Sequence, residues 1–480
     1  MSVKKNFMYN VIYQILIISI PLITTPYIAR VIGAEGVGIQ SYTVSIANYF
    51  VLFTMLGVSN HGNRTIAMVR DDKEKLSKTF ISIVLLKAII GIVMLFLYYI
   101  YIVFDEKGYE RIFFIQTIYI VSAIIDINWF FFGIEKFKLT VIRNMIIKLF
   151  SIISIFILVK EENDLYLYAL ILALGNFCGQ LILWINVYKY IDRVKVNKED
   201  VIKQLKPMII LFIPVIAVSI YKVMDKIMLG SIYDVVQVGY YENSEKIINI
   251  PISIIVALGT VMLPKISNLQ SRGDNKKIEK YISLSIDYVM FMSIGATFGI
   301  IGISNTLIPI FLGDNFIQSI PIINILSITI IFISWANVIR TQFLIPNKRD
   351  KIYITSTLLG AIINFFSNLI LIKYYGAIGA SIGTILAEAI VAIYQSVKVR
   401  NQLKVFVFLK RNIFYIIPGI VMLWVIKIIG NMLPINIITV IIQIIAGSVV
   451  YCIISITYMI IIKNEIVLSY LDKFCKAFNR

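Results

Sequence analysis

Charge, histidine and cysteine are all scarce in this chain. Only 15% of its 480 residues are charged, His61 is the single histidine, and Cys178, Cys452 and Cys475 form no CxxC pair and no even set. A disulfide framework is therefore excluded, and a histidine-backed nucleophile or metal site lacks its raw material. The cysteines read as core residues in a reducing setting. His61, with no Cys, His or carboxylate spaced around it, reads as a satisfied polar residue at a helix end. Acid is the scarcer charge, 27 Asp and Glu against 45 Lys and Arg, for a net +18. In a soluble protein that excess would point to nucleic acid, so the position of the basic residues decides what it means.

Hydrocarbon fills the composition instead. Hydrophobic residues make up 59% of the chain and mean hydropathy is +0.87, against about 45 to 50% apolar in a soluble domain. A bilayer span needs about 20 apolar residues. Apolar windows predict helices near 9 to 30, 38 to 61, 80 to 104, 112 to 134, 142 to 159 and 165 to 188. Further windows lie near 207 to 230, 238 to 264, 282 to 304, 320 to 345, 352 to 373, 376 to 397, 413 to 430 and 435 to 462, about fourteen in all. The first follows Lys4 and Lys5, is longer than the apolar segment of a signal peptide and is interrupted by Pro21 and Pro26, which predicts a retained helix and not a leader. The fold expected is an all-α integral membrane protein.

Basic residues alternate between the loops. About 33 fall on one side of these spans and about 8 on the other, which predicts both termini in the cytoplasm. The charge then reports topology and contact with anionic lipid, and no nucleic-acid partner is needed.

The chain also repeats itself. P-L-I-T-T-P-Y-I-A-R-V-I-G from Pro21 is answered by P-V-I-A-V-S-I-Y-K-V-M-D-K-I-M-L-G from Pro214, and Gly38 to Phe80 has the same separation as Gly239 to Tyr281. This predicts a six-helix lobe over 1–190, a cytoplasmic linker over 191–206, a second lobe over 207–400, and two extra helices with a tail over 401–480. An even number of helices per half gives both halves the same orientation, the parallel repeat found in some transporters.

Several stretches carry a family resemblance: N-x-x-Y-Q from Asn10, T-P-Y-I-A-R-V-I-G-A-E-G-V-G from Thr25, L-G-V-S-N-H-G-N-R-T-I-A from Leu56 and F-F-G-I-E-K-F-K-L-T-V-I-R-N from Phe131. In these the chain resembles bacterial Wzx-type oligosaccharide flippases of the multidrug, oligosaccharidyl-lipid and polysaccharide exporter superfamily. The resemblance implies two lobes around a cavity, alternating access, and a polyprenyl-diphosphate-linked oligosaccharide as cargo, in the bacterial cytoplasmic membrane. Undecaprenyl diphosphate is the expected carrier, for O-antigen, capsule or a similar polymer. Membrane lipids and other assembly proteins are the expected neighbours.

A charge within a span costs about 2.5 kcal/mol or more unless it meets a cavity or a partner. Arg30, Arg64, Lys87, Lys148, Lys222 and Arg340 are the basic candidates for diphosphate contact, with snorkelling or ion pairing as the structural alternative. Asp126, Asp225, Asp287 and Glu388 are the acidic ones. The related lipid II flippases carry a sodium site on helices seven, eleven and twelve, and Asp225, Asn364, Asn368 and Thr384 match its order and spacing. Asn368 stands where that pattern has an aspartate, so a coupling Na+ or H+ competes with a plain polar network. No other cofactor is expected. Aromatic clusters at Tyr98, Tyr99 and Tyr101 and at Trp129 to Phe132 suit sugar stacking or interfacial anchoring. A multidrug exporter of the same fold and a membrane enzyme of polysaccharide assembly are the rival readings. Basic residues within spans favour the anion over an organic cation, and the absence of large polar loops disfavours an enzyme.

Overall fold

A segment crosses a bilayer only if its backbone amides bond one another, which restricts spans to helices and closed barrels. Here the segments are helices. The computed structural model describes residues 3–105 and 107–461, with the backbone alone for 3–19, 214, 217, 218, 220–222 and 260; among the described residues there is no strand. Eleven helices among them are long and apolar enough to cross a membrane. Large apolar side chains such as Phe96, Phe150, Ile185 and Trp424 stand exposed on these helices, a surface suited to lipid and not to water. The protein is an all-α, multi-pass membrane protein.

Three features separate eleven from the sequence count of about fourteen. α1 (Val3–Met55) and α13 (Asp350–Val399) each continue through one left-handed glycine, Gly33 at φ 68 and Gly376 at φ 53, where the sequence counts two helices. The window at 207–230 falls in α8 (Lys198–Ile232), which is not among the eleven. Within α1 the non-helical residue is Gly33, while Pro21 and Pro26 sit inside the helix.

Packing divides the chain into two compact units, residues 1–239 and 240–480. In the first, α1 is followed by α2 (Val58–Val69), α3 (Lys73–Val103), α4 (Glu110–Ile124), α5 (Asn128–Gly133), α6 (Phe137–Leu158), α7 (Leu165–Val187) and α8. Its core is aromatic. Phe80 lies 5.6 Å from Trp129 and 4.8 Å from Phe130, and Phe131 is buried beside them. Three of the four residues in the Trp129 to Phe132 cluster are thus interior packing, and they neither anchor the protein at an interface nor face a sugar. Gly62 makes room for them, since a Cβ there would lie 2.7 Å from Trp129 Cδ2. Cys178 is exposed, contrary to the core position its apolar run suggested. His61 is buried, with Nε2 2.7 Å from Gln204 Oε1.

The repeat leaves a mark inside this unit. A Cβ on Gly38 would lie 3.1 Å from the amide nitrogen of Gly239, and one on Gly239 would lie 3.2 Å from that of Gly38. The same two glycines correspond in the duplicated sequence, so equivalent backbones meet where neither carries a side chain.

The second unit holds most of α9 (Val235–Ser271), then α10 (Asn275–Phe311), α11 (Ser319–Ser327), α12 (Thr329–Ile339), a π turn at Arg340–Leu344, α13, α14 (Val405–Asn412), α15 (Ile416–Met432) and α16 (Ile437–Ile461). α10 is its spine. The Thr297 hydroxyl donates to the Ser327 carbonyl at 2.9 Å, and the Tyr451 hydroxyl to that of Phe291 at 2.8 Å. Asp287 accepts from Arg411 at 2.6 Å and from Asn412 at 2.9 Å. The helices beyond the duplication are therefore fastened to α10 by buried polar bonds.

Helices overrun the apolar windows into the basic loops because their ends are set by caps. Asp72 and Asp274 accept from the amides of Lys75 at 3.1 Å and Lys277 at 3.2 Å, starting α3 and α10 well before residues 80 and 282. At α8, Asn197 and Asp200 form a reciprocal capping box, and Asp200 also pairs with Lys78 at 2.9 Å. The Lys78 ammonium, and after it the Asn197 amide, hold the Asp200 carboxyl below its usual range. A depressed carboxyl adds stability above its unfolded value near pH 4, and that stability is lost as pH falls through the lower folded value. Asp200→Asn is expected to lower the melting temperature slightly at pH 7 and to weaken the acid step between pH 4 and 2, as read by melts in detergent. An unchanged acid step would exclude Asp200 as a contributor.

Candidate functional site

The first unit contains a cavity of about 350 Å³ between α1, α6 and α7. Its wall carries Arg143, Asn144 and Lys148 from α6, Tyr168, Asn176 and Gln180 from α7, and Thr24 from α1. Among the described residues two cations, three amides and three hydroxyls, the third being Ser151, face one space, and no carboxylate lines it. Glycines open it: a Cβ at Gly175 would lie 2.8 Å from Ser151 Oγ, and one at Gly179 would lie 2.8 Å from Ile147 Cδ1.

Arg143 is buried, at 6% exposure, and its fork is oriented by neutral acceptors. Its Nη1 donates to the Gly179 carbonyl at 3.1 Å, Nη2 to Asn128 Oδ1 at 3.0 Å, and Nε to Asn144 Oδ1 at 3.0 Å. Asn128 in turn donates to Asp126 through its amide at 2.8 Å and its side chain at 3.0 Å. Gln180 donates to the same carboxylate at 3.0 Å, so a cavity-wall amide is fixed by a carboxylate outside the cavity. The arrangement holds a planar cation rigidly beside hydroxyl and amide groups. It suits charge-assisted, bidentate contact with phosphate or carboxylate oxygens and hydrogen bonding to sugar hydroxyls.

The sequence-derived candidates are distributed as follows. Lys148 lies on the cavity wall, half-buried. Lys87 is fully buried elsewhere and donates to the main-chain carbonyl of Asp126, behind the network. Arg30 and Arg64 are exposed on α1 and α2. The side chain of Lys222 lies outside the described residues. Arg340, in the second unit, stands over the Tyr353 ring at 5.4 Å.

Asp225 is buried in the first unit. Asn364, Asn368 and Thr384 belong to the second, on the two sides of Gly376. Asn368 Nδ2 donates to Asn364 Oδ1 at 3.3 Å, while Thr384 Oγ1 lies 2.9 Å from the Tyr241 hydroxyl and donates to the Ala380 carbonyl at 2.9 Å. Gly383 sits against this pair, its Cβ position 3.2 Å from Asn368 Cγ.

The candidates drawn from the sequence omit Arg143, which stands close to the basic residues Lys136 and Lys138. It lies inside α6, which begins at Phe137. The usable signal is an Arg-Asn pair followed by a lysine in a helix whose one other charge, Lys138, lies in its first turn.

Lys87 provides a contrast to the cavity residues. Leaving a buried acceptor without its donor costs about 1 to 3 kcal/mol. Lys87→Met is expected to destabilise the purified protein by on the order of 2 kcal/mol in denaturant titration while cargo binding by the folded fraction is unchanged. Lost binding at full stability would place Lys87 on the cargo path.

The model of the family described as polysaccharide biosynthesis protein matches residues 3–270. Two relatives carry the name "Putative O-antigen transporter". The one from Shigella dysenteriae is 24% identical over 381 residues, covering 78% of this chain and 94% of its own. The one from Escherichia coli is 23% identical over 408 residues, covering 84% and 98%. Among solved structures, a lipid II flippase in an inward closed conformation is similar at TM-score 0.77 over 96% of this chain and 99% of its own, with 18% identity. An inward-facing multidrug resistance transporter is similar at 0.59 over 78% and 94%, with 13% identity. At these identities the likeness is one of fold.

Proposed function

The chain belongs to the polysaccharide biosynthesis protein family, and we propose that it flips polyprenyl-diphosphate-linked oligosaccharide across the cytoplasmic membrane by alternating access. The observation that carries this reading is the cavity of the first unit. Arg143 and Lys148 supply positive charge, and Asn144, Asn176, Gln180 and Tyr168 supply hydrogen-bonding groups of the kind a diphosphate and its sugars require. Curated relatives named as transporters support the reading, as does a fold shared with flippases and exporters. The carrier would be undecaprenyl diphosphate, both termini would face the cytoplasm, and the protein would form or break no covalent bond in its cargo.

The cavity disfavours the multidrug alternative. An organic cation needs carboxylates or open aromatic faces, and Arg143 and Lys148 would repel it. A coupling Na+ or H+ would call on Asp225 with Asn364, Asn368 and Thr384. The bonds of Asn364 to Asn368 and of Thr384 to Tyr241 favour a polar fastening for those three.

Deleting the gene in its native cell tests the assignment. Surface polysaccharide should disappear while lipid-linked repeat units accumulate, and expression of the intact chain should reverse both. Unaltered polysaccharide with no accumulation would contradict it.

A further inference from the structure

A second cavity, of about 230 Å³, lies wholly in the second unit between α10, α12, α13 and α14. Phe332 and Trp335 form its wall from α12, Ile393 and Val397 from α13, and Phe406 and Leu409 from α14. The last four are exposed, so the cavity opens to the surroundings of the helices. Its walls are apolar: the Trp335 indole N–H is already bonded to the Ser396 hydroxyl at 2.8 Å. A space with so few polar partners does not hold ordered water, and its natural content is hydrocarbon.

Its rim is basic. Lys398 follows Val397, Lys404 precedes Val405 and Lys410 follows Leu409, so three lining residues each have a lysine as chain neighbour, and all three lysines are exposed. Two nearby cations already hold partners: the Arg411 guanidinium is bonded to Asp287 and Ser283, and Lys404 pairs with Glu279 at 3.0 Å, which leaves Lys398 and Lys410 as the rim charges. α14 itself places exposed Phe406 and Val407 beside Lys410, the composition of a helix lying in the membrane interface.

We propose that this cavity seats an acyl chain of a resident anionic phospholipid whose headgroup lies against Lys398 and Lys410. Charge complementarity selects the anionic class, since basic residues at a membrane surface attract negative lipid headgroups. The lipid would brace α14, which leads into α15, against the α12 and α13 walls. The inference is independent of the cargo.

The test uses the full chain in detergent with dioleoyl phosphatidylglycerol or dioleoyl phosphatidylcholine, each carrying a photoreactive acyl chain, and maps crosslinks by mass spectrometry. Phosphatidylglycerol should label Phe406, Ile393 or Val397 roughly tenfold more than phosphatidylcholine. The double variant Lys398→Gln, Lys410→Gln, confined to exposed side chains, should abolish the difference. Ala392→Leu, which narrows the cavity, should reduce labelling by both lipids. Glycerol 3-phosphate in excess should leave labelling intact, because the headgroup alone lacks the chain. Equal labelling by the two lipids, crosslinks only outside these walls, or displacement by undecaprenyl diphosphate at equal concentration would overturn the proposal. The last result would make the cavity a cargo subsite.

Discussion

Arg143→Gln is expected to slow flipping of a lipid-diphosphate oligosaccharide by roughly 10- to 100-fold. A hydrogen bond to a charged group contributes about 1.5 to 3 kcal/mol, and each 1.4 kcal/mol is a factor of ten. The loss has two sources. A glutamine removes the charge and also the rigid fork that Gly179, Asn128 and Asn144 orient. Arg143→Lys separates them, because it keeps the charge without the fork and should recover only part of the rate. Both variants leave a buried acceptor short of a donor, at about 1 to 3 kcal/mol of stability. Rates must therefore be taken per folded molecule in liposomes, after size-exclusion recovery has been checked. A wild-type rate for Arg143→Gln would remove this cavity from the cargo path.

Gly57→Val is expected to have the largest effect on folding. Gly57 joins α1 to α2 at φ +75, a conformation that a β-branched residue adopts only under strain. A Cβ there would also lie 2.6 Å from the Met208 carbonyl oxygen and 2.9 Å from the Phe212 amide nitrogen, both main-chain atoms of α8 that cannot swing aside. Strain and collision together should cost more than about 4 kcal/mol. Little protein should reach the membrane in a monodisperse form. Gly108→Val is the matched control: it too has a positive φ, 78°, but nothing lies within 4 Å of its Cβ position. It should lose only a few degrees of melting temperature. Equal behaviour of the two variants would show that the packing against α8 is not what Gly57 protects.

Much of the fold was readable because the bilayer imposes a simple demand on composition. Runs such as 80 to 104 and 435 to 462 announce themselves as helices, since only a long apolar helix satisfies its own amides in lipid. Helix ends were less visible. Asp72, Asn197, Asp200 and Asp274 extend helices into water by hydrogen bonds that hydropathy does not register. Gly33 and Gly376 turn the chain without any break in apolar character, so the number of crossings depends on how such turns are counted.

The site was only partly readable for a related reason. Lys148 stood out as a charge within an apolar run, and it does line the cavity. Arg143 lies six residues into the same helix, near enough to Lys136 and Lys138 to be read as a loop charge, yet its side chain is turned inward onto Asn128. Lys87 stood out equally and is packed behind Asp126, away from the cavity. Sequence marks where a charge is expensive; which of cavity, partner or interface relieves it depends on neighbours distant in the chain.

The most direct test of the account is transport by the purified protein in liposomes loaded on one leaflet with an undecaprenyl-diphosphate oligosaccharide. The measurement is the appearance of its glycan on the opposite leaflet, followed with a glycosidase that cannot cross the bilayer. The account predicts protein-dependent appearance that falls roughly 10- to 100-fold with Arg143→Gln. Glycan that stays on its original leaflet under imposed sodium, proton and voltage gradients, with the protein folded and inserted, would contradict it.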